Sequence, residues 1–144
     1  MKYFYALFLF VLPLALFANT LKEGSAIEFP SIKDQFEKKV LLTAQTKQVI
    51  VAFTQAQGSS IKSFLEKNPN YLAENNAIYI MDATAVPSMV MSLFMMPKFK
   101  KYSYSIGLLE DKKDVAYFPK KEEHMTIIQL DNFTVSSVTF KETF

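Results

Sequence analysis

The chain has 144 residues, half of them hydrophobic, with 16 basic side chains against 14 acidic ones, one histidine and no cysteine. Without a thiol it forms no disulfide, offers no thiolate nucleophile and ligates neither an iron–sulfur cluster nor a cysteine-bound zinc, and a single imidazole builds no multi-histidine metal site. Every basic residue is a lysine, and the absence of arginine, the residue of bidentate phosphate recognition, counts against a dedicated nucleotide or nucleic-acid site.

Lys2 precedes an apolar run over residues 3–17, and small and polar residues follow from Ala18. A positive start, a short apolar centre and a small residue at its end make a secretory signal peptide cut after Ala18. The run is shorter than the roughly 20 apolar residues of a membrane-spanning helix. Pro13 interrupts it, and no cysteine follows for lipid attachment. The chain is therefore expected in the periplasm or outside the cell, with residues 1–18 removed and no stable membrane span left. Residues 19–30 carry no pattern and are expected to lie loosely over one domain formed by residues 31–144. A domain of that length holds a core without disulfide staples.

Residues 31–35 and 37–42 read as two short strands around a turn. Residues 48–53, QVIVAF, are a continuous apolar and β-branched run, the pattern of a strand buried on both faces and hence central in its sheet. Ser59 or Ser60 is placed to cap the helix that follows, where Ile61, Phe64 and Leu65 recur at helical spacing until Asn68 and Pro69 kink or restart it, with Tyr71 and Leu72 adding apolar contacts. Residues 77–81 make the next strand. Pro87 suits a helix's first turn, and residues 88–96 make a second helix stopped by Pro97. Tyr102, Tyr104, Ile106 and Leu108 alternate as a strand. A charged connector leads to strands at 126–130 and 134–140, joined by a turn at Asp131 and Asn132. Strand–helix–strand crossovers give parallel neighbours and hairpins antiparallel ones, so this order implies an α/β sandwich whose central mixed sheet is flanked by helices.

SIKDQFEKKVLL, residues 31–42, resembles the N-terminal hairpin of redoxins and peroxiredoxin-like proteins. VIVAFTQAQGSSIK, residues 49–62, is similar to the strand, loop and helix start that hold the thioredoxin Cys-x-x-Cys. The resemblance implies a thioredoxin-like three-layer sandwich in which the two cysteine positions fall on Gly58 and Ile61, the following lysine on Lys62 and the cis-proline on Pro97. With both cysteines replaced, it implies a redox-inactive domain. The chain also resembles small secreted bacterial proteins labelled FAD/FMN-containing dehydrogenase, which implies a flavin. Its three glycines, Gly24, Gly58 and Gly107, form no G-x-G-x-x-G phosphate loop, and no cofactor is expected.

The first candidate site is the edge of a cleft at the carboxyl ends of the parallel strands, where open α/β sheets bind ligands. Gln57, Gly58, Ser59, Ser60, Lys62 and Pro97 would line it, with helix-start N–H groups available to a carboxylate or other small anion. A serine acting only as an N-cap explains the same residues without a ligand. His124, the last residue of KKEEH, could act as the base of a Ser/His hydrolase, but no G-x-S-x-G motif accompanies it, and a solvated loop histidine is the expected role. SMVMSLFMMP, residues 88–97, puts Met91 and Met95 on one helical face, soft ligands suited to Cu(I); with Val90, Leu93 and Phe94 the same helix reads as buried core. KFKKYSYS, residues 98–105, interleaves cations and rings as binders of single-stranded nucleic acid do. In an exported protein the anionic partners to expect are lipid head groups or acidic envelope polymers, with no nucleic acid. The sequence thus predicts a periplasmic, thiol-free binding or interaction module whose partner is an envelope protein or a small ligand. An enzyme, as a flavin oxidoreductase or a Ser/His hydrolase, and a structural partner in envelope assembly are the alternatives.

Overall fold

The computed structural model describes residues 20–144, and the signal-peptide assignment lies outside the described residues. Strand β1 (Gln48–Ala52) is buried along its whole length and stands in the middle of a five-stranded sheet of order β3-β2-β1-β4-β5. β2 (Ala77–Asp82) and β3 (Gly107–Leu109) run parallel to it on one side. β4 (Met125–Asp131) and β5 (Thr134–Lys141) form an antiparallel hairpin on the other. Because side chains alternate across a strand, the core splits into two layers. Val49, Val51, Ile80 and Ile128 meet Phe118 on one face. Ile50, Ala52, Tyr79, Met81 and Ile127 meet Ile61 and Leu65 of helix α1 (Gln55–Lys67) on the other. The mixed-sheet sandwich expected from the sequence is the fold observed.

Several elements differ from expectation, each for a local reason. The β4–β5 turn lies one residue later, at Asn132 and Phe133. Both have positive φ, 47° and 63°, the geometry whose twist suits a two-residue hairpin loop. The hairpin at 31–42 keeps only single bridges: Lys33 pairs with Lys39 and, on its other side, with Leu108 of β3. The strand expected from Tyr102 shrinks to β3 alone, because the fully buried Gln35 takes over the backbone ahead of it. Its Nε2 donates to the carbonyls of Tyr104 (2.7 Å) and Phe99 (3.3 Å), and its Oε1 accepts from the N–H of Ile106 (2.8 Å).

The 19–30 stretch is not loose over its described part. Leu21 and Ile27 are buried in the core, the Gly24 N–H donates to the Val135 carbonyl of β5, and the Val135 N–H donates in turn to the Ser25 carbonyl. Past Pro69 the helix restarts, as expected, as the short helix α2 (Tyr71–Glu74). The charged connector contains α5 (Lys112–Tyr117), whose N-cap Asp111 accepts from the Lys113 N–H at 3.0 Å.

The second helix runs past Pro97. It comprises α3 (Ser88–Val90), a π-helical turn (Met91–Met95) and α4 (Met96–Phe99), and the Met96 N–H reaches back five residues to the Met91 carbonyl. Proline has no N–H to donate and its ring crowds the preceding turn. Widening that turn to π geometry makes room for the ring, so the helix continues. No peptide bond among the described residues is cis, so Pro97 does not take the part of the cis-proline.

Gly107 lets the 31–42 segment lie against β3: a Cβ there would stand 3.0 Å from Ile32 Cγ2 and 3.3 Å from Ile80 Cγ1. At Gly58, inside α1, a Cβ would meet Tyr79 Oη at 3.6 Å and Met81 Sδ at 3.9 Å, ordinary contacts. Gly107→Ala is therefore expected to lower stability by about 1–3 kcal/mol and Gly58→Ala to raise it by about 0.5–1 kcal/mol. Urea midpoints that move in opposite directions confirm the two environments; a Gly58→Ala loss as large as that of Gly107→Ala contradicts them.

Candidate functional site

The end of β1 and the start of α1 are closed by their own side chains. Thr54 is the N-cap, with extended backbone, and its Oγ1 accepts from the Gln57 N–H at 3.2 Å. Gln57 folds back so that its Oε1 accepts from the buried Phe53 N–H at 2.8 Å. The Lys120 ammonium lies 5.2 Å over the Phe53 ring and covers the same end. A capping box pairs an N-cap threonine with a glutamine three residues on, and Thr54-Gln55-Ala56-Gln57 spells that signal. The helix consequently begins a turn earlier than Ser59 or Ser60 would start it, and neither serine is a cap.

The residues expected at a cleft edge have separate tasks. Gln57 is buried, with its carbonyl engaged by the backbone; Gly58 faces Tyr79 and Met81. Ser59 is exposed, and Ser60 Oγ accepts from the Phe144 N–H at 3.1 Å, tying Phe144 to α1. Phe144 packs there against Phe64 and Tyr71. Lys62 pairs with Glu66 at 3.4 Å and sits 5.7 Å over the Tyr102 ring. Ile61, the second cysteine position by resemblance, is wholly buried in the core, and Pro97 is exposed on another helix. A cleft of about 440 Å³ opens beside the amino end of β2, between Thr46, Leu72, Asn76, Ile78 and Tyr104, and none of the six expected residues lines it.

Under α1 runs a ladder of rings. Tyr79 and Tyr104 lie 6.2 Å apart, Tyr104 and Tyr102 stack at 5.3 Å, and Tyr102 meets Phe99 at 5.9 Å. Burial, with smaller contributions from Tyr104 and Tyr102, raises the Tyr79 hydroxyl well above the ordinary phenol range. Burial first, then Tyr102 and Glu66, pushes Tyr104 up to about 12. Both hydroxyls are thereby held in the protonated form at neutral pH. The hydrolase pairing is not assembled. His124 Nδ1 donates to the Glu122 carbonyl at 2.7 Å, and its Nε2 lies 3.7 Å from Glu142, while Ser60 is engaged by Phe144.

The reading of the methionine helix as wholly buried core holds for only half of it. Met91, Met95 and Met96 pack inward on the second core layer, where Met91 and Met95 serve packing. Met89, Leu93 and Phe94 are 70%, 62% and 71% exposed, with Val90 beside them. A helix apolar all round reads as buried from sequence, and nothing in its spelling marks which side faces water.

No family model matches this sequence, and no curated protein does. Solved structures do. A peroxidoxin from Mycobacterium tuberculosis is similar at 17% identity with a TM-score of 0.56, over 85% of this chain and 87% of that one. The thioredoxin domain of a thiol-disulfide oxidoreductase from Bacteroides vulgatus is similar at 19% identity and a TM-score of 0.51, over 83% and 89%. The chain has a thioredoxin-like fold. A thioredoxin-like protein from Porphyromonas gingivalis adds a third likeness, at 16% identity and a TM-score of 0.51 over 87% and 84%. At such identities the likeness reaches the fold and not the chemistry, and these neighbours give no support to the FAD/FMN-dehydrogenase resemblance.

Gln57→Ala leaves the Phe53 N–H buried without an acceptor and should cost about 1–3 kcal/mol, whereas Ser59→Ala should change stability by less than about 0.5 kcal/mol. Chemical denaturation of the two variants checks this, and equal effects would contradict the closed junction.

Proposed function

We propose that this chain is an exported, redox-inactive thioredoxin-like module that acts by binding and not by thiol transfer. The sealed start of α1 carries this proposal. Beside Gly58 and Ile61, where the resemblance places a reactive Cys-x-x-Cys, Thr54 Oγ1 and Gln57 Oε1 accept from backbone N–H groups, Ile61 is core, and the sequence has no cysteine to react. The water-facing apolar side of α3 and the π turn supports the binding half, because contiguous exposed apolar surface is a mark of an interaction site. The apolar run behind Lys2 supports the export half.

Purified protein should show no reduction of insulin disulfides and no peroxide consumption above buffer with dithiothreitol as reductant; turnover in either assay would refute the redox-inactive reading. Expressed in a Gram-negative host, the chain should appear in the periplasmic fraction beginning at Asn19. Retention of the uncut chain in the cytoplasm would remove export from the proposal.

A further inference from the structure

The outer side of the helical segment from α3 to α4 is left to water among the described residues. Met89, Val90, Leu93 and Phe94 face water there, at positions separated by one helical turn, while Met91, Met95 and Met96 hold the segment's inner side to the core. Isolated exposed hydrophobes are ordinary, but four large ones side by side form a patch.

The chemistry around the patch selects its partner. Lys98, Lys100 and Lys101 follow in the next turn, all exposed, and none forms an ion pair among the described residues. Between Asp82 and Glu110 the chain has no acidic residue at all. The surface is thus apolar, then cationic, with no negative charge of its own sequence to offset it. An apolar groove without an acidic rim would match the first half alone. A bilayer containing anionic phospholipid matches both, since the acyl boundary accepts Met, Leu and Phe side chains and the head groups attract lysine. At 1.5 Å per residue the segment from α3 to α4 is far too short to cross the roughly 30 Å hydrocarbon layer, and no helix among the described residues is long and apolar enough to do so. Such a segment lies in the plane of the interface.

We propose that residues 89–101 form an interfacial anchor that docks the domain on an anionic phospholipid surface. The inference rests on the reading of the chain as a binding module and names that module's partner. Two weak signals act together: apolar insertion by Met89, Leu93 and Phe94, and attraction by three lysines worth about fivefold in partitioning each.

The absence of cysteine makes the test site-specific. Phe94→Cys in the full chain carries an environment-sensitive fluorophore at one position, and Asn132→Cys in the β4–β5 turn supplies the control. Phosphatidylglycerol vesicles should shift the residue-94 emission to the blue and leave residue 132 unchanged. Pure phosphatidylcholine should shift neither label, and raised salt should reverse the shift. Combining Phe94→Cys with Lys98→Gln, Lys100→Gln and Lys101→Gln should weaken the vesicle titration by on the order of a hundredfold. Three results would overturn the inference. The residue-94 label could remain in water while the protein sediments with vesicles, which would place binding elsewhere, including in residues 1–19. It could be shielded before lipid is added, which would mean that a second copy or the leader covers the patch. It could respond equally to neutral vesicles and ignore the lysine substitutions. None of these touches the absence of thiol turnover, so the two proposals fail separately.

Discussion

The backbone N–H of Phe53 is the group on which the β1–α1 end of this molecule depends. β1 ends at Ala52, so Phe53 leaves the centre of the sheet with a buried donor and no strand to receive it. A buried N–H without an acceptor is rare because it costs nearly the whole of its lost hydration. Gln57 supplies the acceptor, and it can do so only if α1 has already begun, with Thr54 as cap and Gln57 in the first turn. That one requirement sets the register of the helix. Ile61 and Leu65 then face the sheet, Gly58 abuts Tyr79, and the β1–α1 junction becomes a structural lock.

Beyond β2 a second backbone problem has the opposite consequence. Pro97 removes a donor from the helical ladder, and the π turn at Met91–Met95 absorbs the defect. The inner side of this segment is secured at its far end, where Phe99 is buried and its carbonyl accepts from Gln35. Fixing one side to the core leaves the other to water, and that other side is Met89, Val90, Leu93 and Phe94. One end of the domain is closed by polar locks and one flank is open by apolar display.

Much of this was legible in the sequence. The QVIVAF run declared the central strand, the 126–140 pattern declared the hairpin, and the order of elements declared the mixed sheet, because hydrophobic periodicity reports burial directly. The site was less legible. Thr54 and Gln57 do spell a capping box, but Ser59 and Ser60 are equally good caps by residue type, and only the buried Phe53 N–H decides between them. Gln35 was invisible as the organiser of residues 99–106, since a lone glutamine beside a turn carries no signal of its long-range partners. The exposed side of the methionine helix was hidden by the symmetry of its own composition, and it became visible only when the second core layer claimed Met91, Met95 and Met96.

Residue-resolved amide hydrogen exchange on the native protein tests the closed β1–α1 junction most directly. The Phe53 N–H should exchange only through global unfolding, as slowly as Ile50 and Val51 in the strand before it, with Gln57 next in protection. Exchange of Phe53 at the rate of a solvent-exposed loop amide would mean that the junction is open, and the lock on which this interpretation stands would not exist.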